Sequence, residues 1–279
     1  MIGSRLLILG AAVLWSTGGA AIKLCNLSAW QIAGGRSLVA GIVLFIALRE
    51  ARRRPDRTII AVALAYAGTV VLFVLANKLT TSANAIFLQD TAPGWVLLLS
   101  PWLLREIPSR GAVLSLPVYA IGLALFFLDE LSPGQALGNV VALASGVSFA
   151  LCIVGLRHAG SRGPAALVWG NAIGFVTTAP FWFSGPTPAP LDLALVAYLG
   201  VFQLGLAYLL FARGLAHVPA VEASLLALLE PVLNPIWAFL FAGEVPGPWA
   251  LTGGAIILGA TAWRTLQPWL STRLRGDLG

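Results

Sequence analysis

The sequence predicts an all-α integral membrane protein with ten transmembrane helices arranged as two inverted five-helix repeats. Three observations support this prediction: an apolar composition, ten long apolar runs, and a residue pattern that recurs in the second half of the chain. Hydrophobic residues make up 58% of the 279 residues and charged residues only 10%, against about 25% charged in soluble domains. So few charges cannot cover the surface of a soluble fold, and this indicates that lipid is the solvent.

Each predicted span is an apolar run of about 20 residues, the length that a helix needs to cross the hydrocarbon core. Runs such as 59–65 are apolar at successive positions, which excludes the alternating pattern of a membrane β-barrel. The first run resembles a signal peptide. However, no clear cleavage site with small residues on both sides of a variable one follows it, so we interpret it as a membrane span. Short connections leave no room for a soluble domain. The ten predicted spans are 5–24, 29–48, 58–77, 81–104, 111–128, 134–156, 164–183, 192–212, 219–242 and 249–266.

Arginine residues mark alternate connections between the spans. Fourteen arginines fall on one side of the membrane, whereas the opposite connections hold only Lys23 and Lys78. Because positive residues concentrate on the cytoplasmic side, both termini are predicted to be cytoplasmic. The net charge of +6 is then a topology signal and gives no reason to expect a nucleic-acid partner. The fourteen are Arg5, Arg49, Arg52, Arg53, Arg54, Arg57, Arg105, Arg110, Arg157, Arg162, Arg213, Arg264, Arg273 and Arg275.

The fourth and fifth spans recur, without a gap, as the ninth and tenth when the sequence is shifted by 138 positions. This divides the chain into residues 1–130 and 131–279, each with five spans. An odd number of spans turns the second half upside down in the membrane, and inverted repeats of this kind are typical of secondary transporters. The shift lays Ala85 on Ala223, Pro93 on Pro231, Glu106 on Glu244 and Pro108 on Pro246, and a weaker match lays Trp15 on Phe149 and Lys23 on Arg157.

The ninth span carries the residues by which the chain resembles a known family. The run LEPVLNPIWA at 229–238, the pair Gly243-Glu244 and a glycine-rich last span resemble the EamA-type drug/metabolite transporter superfamily. Within it the chain is most similar to the YddG-type exporters, which move aromatic and other amino acids out of bacteria. The resemblance covers nearly the whole chain. It implies amino-acid export across the bacterial inner membrane, through a cavity lined by the first, third, fourth, sixth, eighth and ninth helices, with the fifth and tenth at the periphery.

Two carboxylates lie near the predicted midplane of the bilayer, Asp90 in the fourth span and Glu230 in the ninth. A charge there costs about 2.5–3.5 kcal/mol on insertion scales, so each needs a partner or a wet cavity. Pro93 and Pro231 follow them and loosen the helices by removing a backbone donor. Arg36, about 10 Å deep in the second span at 1.5 Å per residue, lies near the level of Asp90. Because the family places the second helix away from the cavity, we expect a structural Arg36–Asp90 pair, which leaves Glu230 as the functional carboxylate.

Polar and aromatic side chains in the same spans are candidates to bind a zwitterion, because amides and phenols both donate and accept hydrogen bonds. A deep indole can stack on the substrate or on its cationic group, and a lysine at the outer mouth can attract a carboxylate. The alternatives are hydrogen bonds between helices, space filling, and a lysine that snorkels to the interface. The predicted substrate-binding residues are Trp15, Lys78, Asn84, Gln89, Gln203, Tyr208, Glu230 and Asn234, with Arg36, Asp90, Pro93 and Pro231 in structural or gating roles.

Other functions remain open at this point or are excluded by the sequence. Efflux of lipophilic cations and exchange of sugar phosphates are the alternative transport functions, and a passive channel is a third. An intramembrane serine protease is excluded, because Ser148 lies in mid-span while His217 lies in a cytoplasmic turn, out of hydrogen-bond reach. Cys25 and Cys152 lack metal-ligand spacing, so neither a metal nor another cofactor is expected. Small residues repeat along the second and last spans, and we expect them to pack within a monomer rather than at a dimer interface.

Overall fold

The computed structural model describes residues 2–48, 54–126, 128, 135–233, 237 and 247–276, and within them every regular element is helical. Their order follows the ten predicted spans. The first five spans comprise the helices Ile2–Ser16 and Gly18–Leu24 (first), Ala29–Ala47 (second), Arg57–Leu79 (third), Ser82–Gln89 and Ala92–Leu103 (fourth), and Arg110–Phe126 (fifth). The other five comprise Ala136–Ala159 (sixth), Gly163–Thr178 (seventh), Pro190–Tyr198, Leu199–Leu206 and Ala207–Leu215 (eighth), Ala220–Ala227 (ninth), and Pro248–Gly276 (tenth). Residues 229–233 continue the ninth span as helix.

Five stretches of the described chain are long and apolar enough to cross a membrane. One of them, Ala136–Phe181, contains both the sixth and the seventh spans. The fifth span is a shorter apolar helix, and the fourth is divided into two helices. The last helix runs to Gly276 rather than ending near 266 as predicted, because a helix can continue into water with its backbone hydrogen bonds intact. The predicted boundary between the two halves, at 130/131, lies outside the described residues.

Large apolar side chains on the outer surfaces of the helices are exposed, as lipid-facing residues are. Ile46, Leu64, Leu114, Val140 and Leu251 are examples from five different spans. In water such a surface would drive association, whereas in hydrocarbon it is solvated. The chain is therefore a multi-span membrane protein, as its composition predicted.

The fourth and ninth spans break at equivalent positions. Asp90 ends the helix Ser82–Gln89 with φ −73° and ψ 2°, and Leu228 ends Ala220–Ala227 with φ −64° and ψ 0°. The 138-residue shift lays Asp90 on Leu228, and a proline stands three residues after each. Because proline has no N–H for the carbonyl four residues earlier and its ring crowds that carbonyl, each helix stops there and restarts. Broken helices near the midplane are typical of transporter binding sites.

Packing between the two halves is symmetric. The third span packs on the sixth and seventh, just as the eighth packs on the first and second. The fourth packs on the sixth as the ninth packs on the first, and the fifth span packs on the tenth. Exchanging each span with the one five places along the chain reproduces these contacts. This is the arrangement that a pseudo-two-fold axis in the membrane plane produces.

Ion pairs at one face show that the halves are inverted. Arg5, at the beginning of the first span, pairs with Glu222 near the beginning of the ninth (2.6 Å). Arg157, at the end of the sixth span, pairs with Glu106 (2.7 Å), which also accepts the N–H of Ala220 at the beginning of the ninth (3.4 Å). The first span therefore begins on the face where the sixth span ends. We call this the basic face, since it carries Arg5 and Arg157.

Candidate functional site

A cavity lies between the two halves and holds about 330 Å³ of space, including its open mouth. All six spans implied by the family resemblance contribute to its lining, and the second span contributes as well. Its lining residues are Trp15, Arg36, Thr69, Val70, Phe73, Gln89, Phe149, Gln203, Leu204, Tyr208 and Glu230.

Irregular helix geometry positions several of these side chains. Gln203 lies within a stretch of π-helix, Leu199–Leu206, in the middle of the eighth span. Gln89 precedes the break in the fourth span, Glu230 follows the break in the ninth, and Trp15 stands two residues before the turn at Thr17. π-Helical segments and broken helices cost backbone hydrogen bonds and recur at functional sites. Four spans thus interrupt their regular helix at the level of the cavity.

Arg36 is a fully buried cation on the cavity wall, with 1% of its surface exposed. Its Nη1 donates to Oε1 of Gln203 (3.1 Å) and its Nη2 to the carbonyl of Val70 (2.6 Å). Its Nε–H finds no acceptor, and among the described residues no carboxylate forms an ion pair with it. The expected Arg36–Asp90 pair is therefore wrong. A guanidinium that is only partly satisfied at a cavity wall can still bind an anion.

Aromatic rings form one wall around Trp15. Its indole packs edge-on against Phe149 (ring centroids 5.6 Å, interplanar angle 84°) and Tyr208 (4.9 Å, 61°), and tilted against Phe211 (5.1 Å). The weaker repeat match lays Trp15 on Phe149, and their contact is what equivalent residues near a two-fold axis make. The indole N–H of Trp15 has no acceptor. Buried donors normally have partners, and two residues of the cavity lining, Trp15 and Arg36, each have a buried N–H without one.

Glu230 brings a carboxylate to the same cavity, and the described residues supply no ion-pair partner for it. Asp90 follows Gln89 at the break in the fourth span. Asp90 is 9% exposed, and its Oδ2 accepts no hydrogen bond. The site thus combines one cation, one carboxylate and an aromatic wall.

The remaining predicted residues divide into two groups. Five of them line the cavity together: Trp15, Gln89, Gln203, Tyr208 and Glu230. Nε2 of Gln89 donates to Ser145 Oγ (2.6 Å). The others lie elsewhere. Asn84 donates to Thr80 Oγ1 and Asn139 Oδ1 (3.1 and 3.0 Å), and Lys78 is exposed near the end of its helix. Pro93 and Pro231 follow the helix breaks, and Asn234 lies outside the described residues.

The structure adds lining residues that the sequence had not assigned to the cavity, chiefly Arg36, Thr69, Phe73 and Phe149. The resemblance had placed the second helix away from the cavity, and Arg36 corrects that expectation. Its long side chain crosses from the second span to Gln203 on the eighth and Val70 on the third. The repeat contained a usable signal for Phe149, since it falls on Trp15. No comparable signal pointed to Thr69 or Phe73.

The basic face is closed by charged contacts. Besides its pair with Glu106, Arg157 donates to the carbonyls of Leu215 and Ala216 (3.1 and 2.6 Å). Glu222 forms ion pairs with both Arg5 and Arg264 (2.6 and 3.4 Å). These contacts join the ends of the fourth, sixth and eighth spans and, separately, the first, ninth and tenth. Residues of both halves are therefore tied together at this face.

An outlying ion pair ties the third span to the connection that follows the sixth. Asp56 caps the helix Arg57–Leu79 by accepting the N–H of Ile59 (2.9 Å) and also pairs with Arg162. The Ile59 N–H, and to a smaller extent the Arg162 charge, hold the pKa of Asp56 below its ordinary value, because both stabilise the ionised carboxylate.

Comparison with protein families identifies one model over most of the chain. The model of the EamA-like transporter family matches residues 3–128 and again residues 136–265. Each match spans one set of five helices. A solved crystal structure with 20% identity superposes with a TM-score of 0.79 over 95% of this chain and 97% of the other, which shows a shared fold.

Three curated relatives are similar over most of their length. An uncharacterized transporter of Archaeoglobus fulgidus is 31% identical over 228 residues, 80% of this chain and 82% of the relative. The uncharacterized transporter YwfM of Bacillus subtilis is 26% identical over 278 residues, 91% and 90% of the two chains. A protein named probable terminal-alkyne amino-acid exporter, from Streptantibioticus cattleyicolor, is 25% identical over 260 residues, 88% and 87%.

Proposed function

The chain belongs to the EamA-like transporter family, and from the charges in its cavity we propose that it exports amino acids, with aromatic and other neutral ones as the preferred substrates. One observation carries the proposal: Arg36 and Glu230 place opposite charges in a single cavity that has an aromatic wall. A free amino acid carries both complementary charges on one carbon.

In the proposed complex, the substrate carboxylate accepts from Nε of Arg36 and from the indole N–H of Trp15, the two donors that lack acceptors. The ammonium group faces Glu230. The side chain lies against Trp15, Phe149 and Tyr208, whose rings favour flat apolar groups. Burying these charges costs free energy that only paired partners offset, so a zwitterion satisfies the site whereas a neutral solute leaves it unsatisfied.

The same charges argue against the two alternative substrates. A lipophilic cation would pair with Glu230 but bring its charge near Arg36, where no described carboxylate forms an ion pair. A sugar phosphate would pair with Arg36 but face the repulsion of Glu230, and Arg36 is the one basic residue among those lining the cavity. Phosphate sites normally gather several basic groups. A relative named as an amino-acid exporter points in the same direction.

Transport follows an alternating-access cycle in this proposal, because two inverted halves around one cavity supply inward-open and outward-open states from one architecture. We place the protein in the inner (plasma) membrane of a bacterium, with the basic face and both termini in the cytoplasm. The working unit is a monomer made of residues 1–130 and 131–279, with a free amino acid as its small-molecule partner and the lipid bilayer as its solvent.

The test is counterflow in liposomes that contain the purified full-length protein and unlabelled L-tryptophan. External labelled tryptophan is expected to accumulate transiently, and external unlabelled phenylalanine is expected to slow that uptake. Tryptamine lacks the carboxylate and indole-3-propionate lacks the ammonium, so each should compete at least tenfold less well, because one charged hydrogen bond is worth about 1.5–3 kcal/mol. Equal competition by tryptamine would identify a cation transporter, and no counterflow with any amino acid would end the proposal.

A further inference from the structure

Two consecutive hydrogen bonds join three spans at the cavity wall. Oγ of Ser145, on the sixth span, donates to the carbonyl of Thr69 on the third span (3.1 Å). Nε2 of Gln89, on the fourth span, donates to the same Oγ (2.6 Å). Ser145 is fully buried, whereas Gln89 and Thr69 line the cavity. The buried serine therefore links two residues of the cavity lining.

Two glycines bring the sixth span close enough to its neighbours for these bonds. A Cβ at Gly146 would lie 2.8 and 2.9 Å from two backbone carbonyl oxygens just before the break in the fourth span. A Cβ at Gly68, on the third span, would lie 2.9 Å from Oγ of Ser148 on the sixth. Any side chain at either glycine would push the spans apart. Close backbone packing on both sides thus holds the hydroxyl of Ser145 in place.

The orientation of the Gln89 amide follows from which groups can donate. A backbone carbonyl only accepts hydrogen bonds, so the single hydroxyl proton of Ser145 is used on Thr69. Oγ of Ser145 must then accept from the amide, and the group that faces it is the NH2 of Gln89. The amide oxygen of Gln89 points away from the serine, and among the described residues nothing donates to it. Gln89 therefore keeps a free acceptor.

The amide of Gln203, on the same cavity, is fixed in the opposite sense. Its Oε1 accepts from Nη1 of Arg36 (3.1 Å), and a guanidinium can only donate, so this amide cannot be reversed. Its NH2 group lies beside Gly18, where a Cβ would come within 2.8 Å of Nε2. The cavity thus separates its polar groups by type: Gln203 and Arg36 supply donors, whereas Gln89 and Glu230 supply acceptors.

We propose that the amide oxygen of Gln89 binds the substrate ammonium and that Ser145 is the residue that positions it. This inference rests on the proposed function. An ammonium group has three N–H donors, so it can bond to Gln89 and to Glu230 at the same time. Glu230 attracts any cation, but a neutral amide oxygen needs an N–H to accept. The site therefore prefers amino acids with a protonated amine over those with a quaternary ammonium group.

The test compares L-tryptophan with its N,N,N-trimethyl derivative, which keeps the ring, the carboxylate and the positive charge but has no N–H. Dissociation constants are measured by isothermal titration calorimetry on purified full-length protein. The wild type should prefer tryptophan by about tenfold or more, and Gln89→Met should reduce that preference by about tenfold, the value of one charged hydrogen bond. Comparing the two proteins cancels the bulk of the added methyl groups, since it is the same in both.

Ser145→Ala tests the positioning role. Without Oγ the amide of Gln89 can turn its NH2 group to the ammonium, so the preference for tryptophan should fall by about fivefold, the value of one neutral hydrogen bond. In a Gln89→Met background, Ser145→Ala should leave the preference unchanged, because no amide remains to be oriented. A purely structural serine would not move the preference in either background.

The matched control is Ser148→Ala, the same chemical change three residues along the sixth span. The hydroxyl of Ser148 is bonded neither to Gln89 nor to Thr69, so this variant should keep the wild-type preference. Thermal unfolding of each variant reports whether it has folded. If Ser145→Ala does not fold, Ser145→Cys takes its place, because a thiol fills the same space but is a weaker acceptor.

The possible failures can be told apart. If tryptophan binds and Gln89→Met keeps the wild-type preference, the inference is overturned and the proposed function stands. Equal binding of both ligands by the wild type would also overturn it. A preference that depends on Gln89 but not on Ser145 would overturn the positioning role. If the wild type binds no amino acid, the proposed function fails first, because Gln89 would have no ammonium to bind.

Discussion

Replacing Arg36 with glutamine should remove the recognition of the substrate carboxylate while leaving the ammonium site intact. In the structure, Nη1 and Nη2 of Arg36 each donate one N–H, to Gln203 and Val70, which leaves the Nε–H and the second N–H of each Nη for a ligand. Glutamine at this position keeps a polar side chain but loses the charge. A hydrogen bond to a charged group contributes about 1.5–3 kcal/mol, which corresponds to a loss of roughly 10–150-fold in affinity for tryptophan.

The assay compares tryptophan with tryptamine, which has the same ring and ammonium but no carboxylate. Dissociation constants are measured by isothermal titration calorimetry on purified full-length protein. In the wild type, tryptamine should bind roughly 10–150-fold more weakly than tryptophan. In Arg36→Gln the ratio of the two constants should approach one, because the group that distinguishes them has lost its partner.

The ratio separates a binding effect from a folding defect, since a protein that misfolds loses both ligands together. Arg36→Lys provides a matched control: it keeps the positive charge but has no Nε–H in this geometry, so its ratio should fall between those of the other two proteins. An unchanged ratio in Arg36→Gln would refute the reasoning and restore Arg36 to a purely structural role.

Three further predictions concern stability, each measured by thermal unfolding. Trp15→Ala should lower the free energy of unfolding by about 3–5 kcal/mol, because the indole packs against three rings. Trp15→Phe should lose much less stability, since it keeps an aromatic ring. A small loss of stability in the alanine variant would contradict this packing. Gly146→Ala should destabilise the protein, since the added Cβ would lie 2.8 and 2.9 Å from two backbone carbonyl oxygens of the fourth span. The control, Gly94→Ala, adds a Cβ that meets nothing within 4 Å and should leave the stability unchanged. Equal effects of the two substitutions would argue against the close approach at Gly146. The lowered pKa of Asp56 means that its ionised form stabilises the fold above the ordinary carboxyl pKa of about 3.9, and that this contribution is lost as pH falls through the lower folded value. The stability difference between wild type and Asp56→Asn should therefore shrink in acid, and a difference that stays constant down to pH 2 would exclude Asp56 as its source.

Much of the fold was predictable because lipid imposes simple rules on sequence. A helix must satisfy its own backbone polar groups in hydrocarbon, so apolar length alone identifies a span. The repeat added the inversion, and the shift that aligned Pro93 with Pro231 also located the two helix breaks. The break at Thr17 and the π-helix around Gln203 were not predictable. No proline stands just after either of them, and both depend on packing between spans.

The sequence predicts how deep a candidate side chain lies in the membrane, but not which neighbouring helix it faces. Counting residues along a span gives the level of a side chain in the membrane, and five residues predicted from spans near that level, Trp15, Gln89, Gln203, Tyr208 and Glu230, line one cavity. Level does not tell which neighbour a side chain faces. A helix that is apolar on all sides gives no sign of its inner face. That is why Arg36 was assigned to Asp90, at a similar depth, although the structure directs it to Gln203.

A structure of the full-length protein with L-tryptophan bound tests the central claim most directly. We expect one tryptophan in the cavity, with its carboxylate within hydrogen-bond distance of Nε of Arg36, its ammonium facing Glu230 and its ring against Trp15. A ligand bound elsewhere, or one whose carboxylate points away from Arg36, would contradict it.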